Sequence, residues 1–491
     1  MRKFVGCVSL AAAVLLAGCA TVENPVTGER ERSVMSESDE VAQGRKAHEE
    51  VLAEYGAYQD ARLQAYVNDV GQRLAKQSHR SQLEWHFTVL DSTEINAFAL
   101  PGGYVYITRG IMAYMDSEAD LAGVLGHEIG HVTARHGAQR ATRQQTAGIG
   151  VLAATVLGAV LGVGDIASQV SQSVAAGYIA SYSREQELQA DKLGAEYLSR
   201  VHYNPQNMVD VIQLLKNQEA FAADQAKAEG RSVPAQHNWL ASHPSNDQRL
   251  RDITQIASQY KGDYSEEGRT RFLQAVNGMS FGESREQGVT RGRNFYHEPL
   301  GIALTAPVGW KIQNTAEAVA LVNGEGTAGL VMQAVPPKAG STHEEILRNL
   351  VKPEQGRTEM RSLNGLAATH FAGTRKNERG QSQGVVVTVA TGPQGRHYLL
   401  RYAAKDAPSL DRAMPQLKEA EASFRALTAA DRKAARPWVV RTVAYPRGGF
   451  AELAKQSPLS TYAEQQLRLL NGFYAGGEPK PGQLVKVVAE Q

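Results

Sequence analysis

His127-Glu128-Ile129-Gly130-His131 decides the reading of this chain. Residues four apart in an α-helix point the same way, so two imidazoles at this spacing close on one ion. Glu128 lies about 100° further round the axis, where it reaches a water beside the ion without filling a coordination position. Two neutral nitrogens, an open position and a carboxylate that takes a proton are the parts a zinc hydrolase needs. The context is helical as well. Ser117-Glu118-Ala119-Asp120 reads as a capping box, and Leu121, Val124, Leu125, Ile129 and Val132 make an apolar stripe at helical spacing.

A further protein ligand is expected downstream, where Ser183-Arg184-Glu185-Gln186-Glu187-Leu188-Gln189-Ala190-Asp191 reads as a second helix. Glu187 and Asp191 share a face, so one can ligate while the other orients a ligand imidazole. His136 follows His131 by five residues, off the ligand face, and reads as structural. His48-Glu49-Glu50 lacks a second His.

Several ordered motifs then resemble one zinc peptidase family. They are Asn96-Ala97-Phe98-Ala99-Leu100-Pro101-Gly102-Gly103, then Gly126 through Val132 with Arg135-His136, then Ser183-Arg184 with Glu187 and Asp191. The family includes the CAAX prenyl proteases, bacterial heat-shock membrane proteases and periplasmic proteases that monitor outer-membrane β-barrel assembly. The resemblance runs from Glu37 to Arg251. It implies one Zn2+ per chain on His127, His131 and Glu187, with Glu128 as general base and Asp191 supporting a ligand from behind. Ser242-His243-Pro244 with Arg249 is a further match, implying a His and an Arg placed to stabilise the tetrahedral intermediate or to block the resting site.

The N-terminus points to a compartment. Met1-Arg2-Lys3 is basic, residues 4–16 are almost wholly apolar, and Leu16-Ala17-Gly18-Cys19 has the small residues of a lipoprotein cleavage site. Such a run is shorter than the roughly 20 residues a bilayer span needs. Cleavage before Cys19 leaves a lipidated first residue, and Cys7, the other of the two cysteines, is lost with the signal. Ala20 follows Cys19, which favours the inner leaflet of the outer membrane. Lys and Arg number 52 against 51 Asp and Glu, a balance that gives no support to nucleic-acid binding.

The expected class is α+β with several units, since 491 residues exceed one growing core. Residues 1–18 read as signal peptide, 19–36 as lipidated tether and 37–262 as a mainly helical zinc peptidase domain with a small sheet. Within it, 39–55 and 60–77 carry helical patterns, and 85–90 and 103–108 read as strands. A strand just before the metal helix offers its edge to an extended substrate, so Gly102, Gly103, Tyr104, Val105 and Tyr106 are expected to bind the peptide backbone. Residues 147–164 carry no charge but are broken by Gly148, Gly150, Gly158, Gly162 and Gly164. They read as a cleft-covering hairpin, a membrane-resting helix or, least, a span.

Residues 263–430 read as an α+β accessory domain. Its strands fall at 302–305, 309–312, 318–322, 329–335, 384–391 and 397–403, and its helices near 343–351 and 410–424 cover one face of an antiparallel sheet. Residues 437–491 look like a degenerate LysM module, a type that binds peptidoglycan. The function these features imply is a lipid-anchored periplasmic zinc endopeptidase for misfolded or stalled envelope proteins. The competing class is a non-enzymatic envelope chaperone or peptidoglycan-linked scaffold with a latent metal site.

Overall fold

The computed structural model describes residues 20–146, 182–230, 239, 243, 247–264, 267–315, 317–376 and 380–491. The signal segment, Cys19 and the uncharged stretch 147–164 lie outside the described residues. The chain forms two compact units, one joining the residues up to Phe281 with Val439–Glu490, the other built on Gly282–Trp438. A mainly helical region is thus followed by a sheet-rich region, as the sequence led us to expect. No helix among the described residues is long and apolar enough to cross a membrane.

In the first unit the tether region pairs as an antiparallel hairpin, β1 (Ala20–Glu23) with β2 (Arg30–Ser33). Helix α1 (Glu37–Tyr55) starts at a Ser36/Asp39 capping box, and α2 (Ala61–Ala75) at Asp60. A small sheet follows, β3 (His86–Leu90), β4 (Ala97–Leu100) and β5 (Tyr104–Thr108), in the order β3-β5-β4. Strand β5 runs parallel to β3 and antiparallel to β4. Then come α3 (Arg109–Tyr114), α4 (Glu118–Thr133), α5 (His136–Thr146), α6 (Arg184–Arg200), α7 (Asn207–Ala228), α8 (Asp247–Ser258) and α9 (Arg269–Val276).

Helix α4 carries the HExxH stretch and begins at the expected capping box: Ser117 Oγ accepts from Asp120 N, and Asp120 Oδ2 accepts from Ser117 N. Every residue of α4 is buried, so it is packed on all sides rather than along one stripe. Its C-terminal end is fixed by charge. Arg80, fully buried, donates to Glu40 Oε2 at 2.7 Å and to the Val132 carbonyl at 3.1 Å, and Arg135 Nε donates to Glu40 Oε1 at 2.5 Å. Arg135 itself turns the chain with φ 59°, which ends α4 and starts α5.

Glycine sets the distance between α4 and α6. A Cβ on Gly130 would lie 2.9 Å from the Ala190 carbonyl oxygen and 3.1 Å from its Cα, and a Cβ on Gly126 would lie 2.9 Å from Leu198 Cδ1. Only a bare backbone lets α6 lie this close, and the closeness brings Glu187 and Asp191 to the histidines.

The C-terminal stretch is part of this unit. Strand β18 (Trp438–Ala444) lies between β6 (Ser280–Phe281) and β19 (Leu484–Glu490). Helices α13 (Gly449–Gln456) and α14 (Ala463–Leu470) run between β18 and β19. Gln466 Nε2 donates to Tyr114 Oη at 2.7 Å, and the fully buried Lys486 donates from Nζ to the Ala113 carbonyl at 2.9 Å. Burial pushes the Lys486 ammonium down to about 8.

The second unit holds an antiparallel seven-stranded sheet of order β10-β11-β12-β16-β15-β14-β13. Its strands are β10 (Lys311–Asn314), β11 (Val319–Val322), β12 (Ala328–Ala334), β13 (Pro353–Leu363), β14 (Leu366–Lys376), β15 (Ser382–Thr391) and β16 (His397–Ala404). The helices do not share one face. Helix α11 (Ala407–Ala422) packs Ala413, Leu417 and Ala420 against Ala390, Tyr398 and Leu400, whereas Ile346 and Val351 pack against Phe371, Val387 and Val389. Side chains alternate along β15, so Val387 and Val389 face away from Ala390, and the two helical segments cover opposite faces.

Gly130→Ala adds one methyl where the Ala190 carbonyl already stands. The expected outcome is a loss of about 1–3 kcal/mol in stability from overpacking, read as a lower melting temperature.

Candidate metal centre

His127 and His131, one turn apart on α4, bring their Nε2 atoms to 3.0 Å of each other. The Glu187 carboxylate, from the first turn of α6, faces both, with Oε2 3.6 Å from His127 Nε2 and Oε1 3.5 Å from His131 Nε2. His243 enters from the segment between α7 and α8, its Nδ1 2.9 Å from Glu187 Oε1 and 3.1 Å from His127 Nε2. One ligand atom from each of these four residues lies within 4.8 Å of the other three, and all four residues are buried.

The groups behind the cluster orient it. Asp191 Oδ1 accepts from His127 Nδ1 at 2.8 Å, which leaves the His127 Nε2 lone pair facing the centre. Arg249 grips the same carboxylate with two bonds, Nε to Oδ2 and Nη2 to Oδ1, both 2.9 Å. Burial alone would raise the Asp191 carboxyl, but Arg249 and His127 outweigh it and hold the group well below the usual carboxylate range. For Glu187, burial is likewise outweighed, here by His243, Arg249 and His127, and the carboxyl is held down. His131 is driven well below its ordinary value, first by burial and then by His127, His136 and His243, so it is neutral. His243 goes the other way: burial lowers it, but Glu187 and Glu128 prevail and raise it.

The donor set fits a zinc ion: two bare imidazole nitrogens and a carboxylate converge on one point, with a third imidazole beside them. Glu128 stands next to that point. Its Oε1 accepts from Trp239 Nε1 at 2.9 Å and lies 3.5 Å from His243 Nε2, and its buried Oε2 has no hydrogen-bond partner among the described residues. Such an acceptor is costly to bury without a purpose, and a water at the centre would supply the missing donor.

The structure bears on two expectations. Arg249 was expected, with His243, to stabilise the tetrahedral intermediate or to block the resting site; its third nitrogen, Nη1, donates to the His243 carbonyl at 3.0 Å and faces Glu187 Oε2 at 2.9 Å. With all its nitrogens so engaged, it holds the Asp191 and Glu187 carboxylates and the His243 carbonyl. Gly102, Gly103, Tyr104, Val105 and Tyr106 were expected to offer a strand edge. Gly102 and Gly103 instead make the turn into β5, at φ 83° and 100°, and β5 is the central strand with both edges taken. Tyr104 and Tyr106 are buried, and Tyr106 Oη bonds His48 Nδ1 at 2.7 Å. The edge strand on the side of α4 is β4, Ala97–Leu100.

Sequence reasoning missed three aromatic groups at the site. Tyr182 stacks on His131 with ring centroids 3.8 Å apart, and Trp239 reaches Glu128. Trp239 also donates its backbone N–H to the Ile95 carbonyl at 2.8 Å, just before β4. His136, read as structural, has its Nδ1 2.8 Å from His131 Nδ1, and burial pushes it down to about 4. The signal for Trp239 was its distance of one helical turn from His243; Tyr182 gave none beyond preceding the Ser183 cap.

Residues 61–257 match peptidase family M48. The chain is 32% identical over 247 residues to a beta-barrel assembly-enhancing protease of Yersinia pestis, covering 48% of each protein. It is 31% identical over 209 residues to the Escherichia coli (strain K12) protein of that name, covering 41% of this chain and 40% of the relative. To the mitochondrial metalloendopeptidase OMA1 of Schizosaccharomyces pombe it is 30% identical over 236 residues, covering 47% of this chain and 64% of the relative. The chain thus spans about half the length, or less, of the first two relatives.

Asp191→Asn leaves Arg249 facing a neutral amide. We expect a loss of about 3 kcal/mol at neutral pH, the scale for breaking a buried ion pair. Because the folded Asp191 carboxyl lies below its unfolded value of about 3.9, its contribution is complete above that pH and is withdrawn as the pH falls from there through the lower folded value. Melting temperatures from pH 7 downward should show an acid loss in wild type that is smaller in the variant.

Proposed function

We propose that this chain, whose residues 61–257 carry the peptidase M48 sequence, is a zinc metalloendopeptidase that cleaves misfolded or stalled envelope proteins. The observation that carries the reading is the meeting of both HExxH imidazoles with Glu187 around one point, with the Glu128 carboxylate beside it. His127, His131 and Glu187 would hold the ion. Zinc, when bound, supplies a Lewis acid that polarises the scissile carbonyl and makes a nearby water more acidic.

The chain's own residues do the rest. Glu128 accepts the proton of the attacking water and passes it to the leaving amine. His243, with a raised affinity for protons, donates to the developing oxyanion, and in the arrangement described here it also covers the site. Asp191 and Arg249 are positioning residues that keep His127 and Glu187 in place. The substrate backbone pairs with the edge of β4, which lies against α4 and gives sequence-tolerant binding. Trp239, bonded to Ile95 and Glu128, has to leave before a peptide occupies that line.

The envelope setting rests on the N-terminal sequence and on the names of the relatives. In this reading Cys19 carries lipid and anchors the protein at the inner leaflet of the outer membrane, facing the periplasm, and residues 437–491 contact peptidoglycan. Failure of the chain to co-sediment with purified peptidoglycan would remove the last contact.

The decisive experiment follows cleavage of unfolded casein by the chain carrying Cys19→Ser. Wild type should cleave, a chelator should stop it and zinc should restore it. Glu128→Gln should keep its metal and lose at least ~100-fold in turnover. Metal uptake without any cleavage would favour the scaffold class, and loss of metal from Glu128→Gln would show the roles to be wrongly divided.

A further inference from the structure

Arg135 reverses the chain so sharply that His136, five residues after His131, comes to rest behind it. The two rings meet edge to face, with centroids 5.0 Å apart and an interplanar angle of 70°. His136 Nδ1 lies 2.8 Å from His131 Nδ1, and His136 Nε2 lies 3.0 Å from Gln189 Oε1. His136 is fully buried, and this row of contacts has only one consistent polarity.

A neutral imidazole has one N–H and one lone pair. The Gln189 carbonyl oxygen only accepts, so the hydrogen of His136 is on Nε2 and its Nδ1 is bare. His131 must then donate from Nδ1, and its Nε2 is left with a lone pair facing His127 Nε2 at 3.0 Å. Asp191 does the same for His127. One imidazole of the pair is therefore set by a carboxylate, the other by a neutral relay.

We propose that Gln189 and His136 form a hydrogen-bond relay that fixes His131 in its Nδ1–H tautomer and so makes Nε2 a metal ligand. Both are positioning residues, and the proposal rests on the metal-centre reading of His127, His131 and Glu187. The relay gives a use to a histidine that the HExxH spacing leaves out. It also explains why an amide stands at residue 189, two positions from Glu187 and Asp191: a neutral acceptor there orients His131 without adding a third negative charge near the ion.

The polarity of residue 189 is the testable point. Gln189→Glu accepts only and keeps the relay, Gln189→Met removes it, and Gln189→Lys donates and forces the opposite tautomer. Zinc affinity of the full chain, measured by chelator competition, should stay near wild type in Gln189→Glu. It should fall about 10–100-fold in Gln189→Met and at least as far in Gln189→Lys. Circular dichroism and melting of the metal-free variants should stay near wild type. In nitrogen-15 histidine spectra of the metal-free chain, His131 should carry its hydrogen on Nδ1 in wild type and on Nε2 in Gln189→Lys. Wild-type zinc affinity in both Gln189→Met and Gln189→Lys, or an Nε2–H tautomer in wild type, overturns the relay. Failure of wild type to bind zinc while His131 keeps its Nδ1–H overturns the metal reading instead, and with it the relay's purpose.

Discussion

The carboxylate of Asp191, buried between His127 and Arg249, is the constraint on which the site depends. One oxygen orients an imidazole of α4 and both are held by a guanidinium from α8, so three helices are tied at one residue. A charge removed from water in this way is tolerated only when its partners are complete, and here they are. The same logic recurs at the ends of α4. Glu40 holds Arg80 and Arg135 at the C-terminal end, while Glu118, in the first turn, is held down to about 2, burial being outweighed by Arg271, Tyr203 and Arg73. The HExxH helix is locked by buried carboxylates at both ends and at its middle.

Much of this was legible because local chemistry and tertiary need coincide. Ser117 caps the helix its sequence announces, and the HExxH spacing set two imidazoles on one face whatever else the fold did. Of the accessory strands, Ile302–Thr305 and His397–Ala404 were read nearly residue for residue from alternating apolar side chains. Strand β13 was not, because almost all of its residues are exposed and Pro353, Gly356, Arg357 and Glu359 interrupt any pattern. It is held by its register with β14, which sequence does not display.

What failed was anything that depends on who the neighbours are. Order within a sheet is not encoded in a strand's own residues, so Tyr104–Thr108 was expected at an edge and stands in the centre. Arg249 pairs as readily with a carboxylate as with an oxyanion on paper; the position of α6, set by Gly126 and Gly130, decides between them. His136 was off the ligand face of its own helix, and only the left-handed turn at Arg135 returns it to the site.

The chain leaves its first unit at Phe281 and re-enters it at Val439, and the ammonium of Lys486 closes on carbonyls at the end of α3, directly ahead of the HExxH helix. Chain order therefore has a physical meaning. While the polypeptide is being made or exported from its N-terminus, the HExxH helix emerges long before the strand and lysine that complete its surroundings. Throughout that interval the carbonyls of Ala113 and Met115 lack the Lys486 ammonium, and β18 has not arrived to extend β6. The unit is complete only once Val439–Glu490 has been delivered, so the surroundings of the HExxH helix mature late, by the geometry of its own chain.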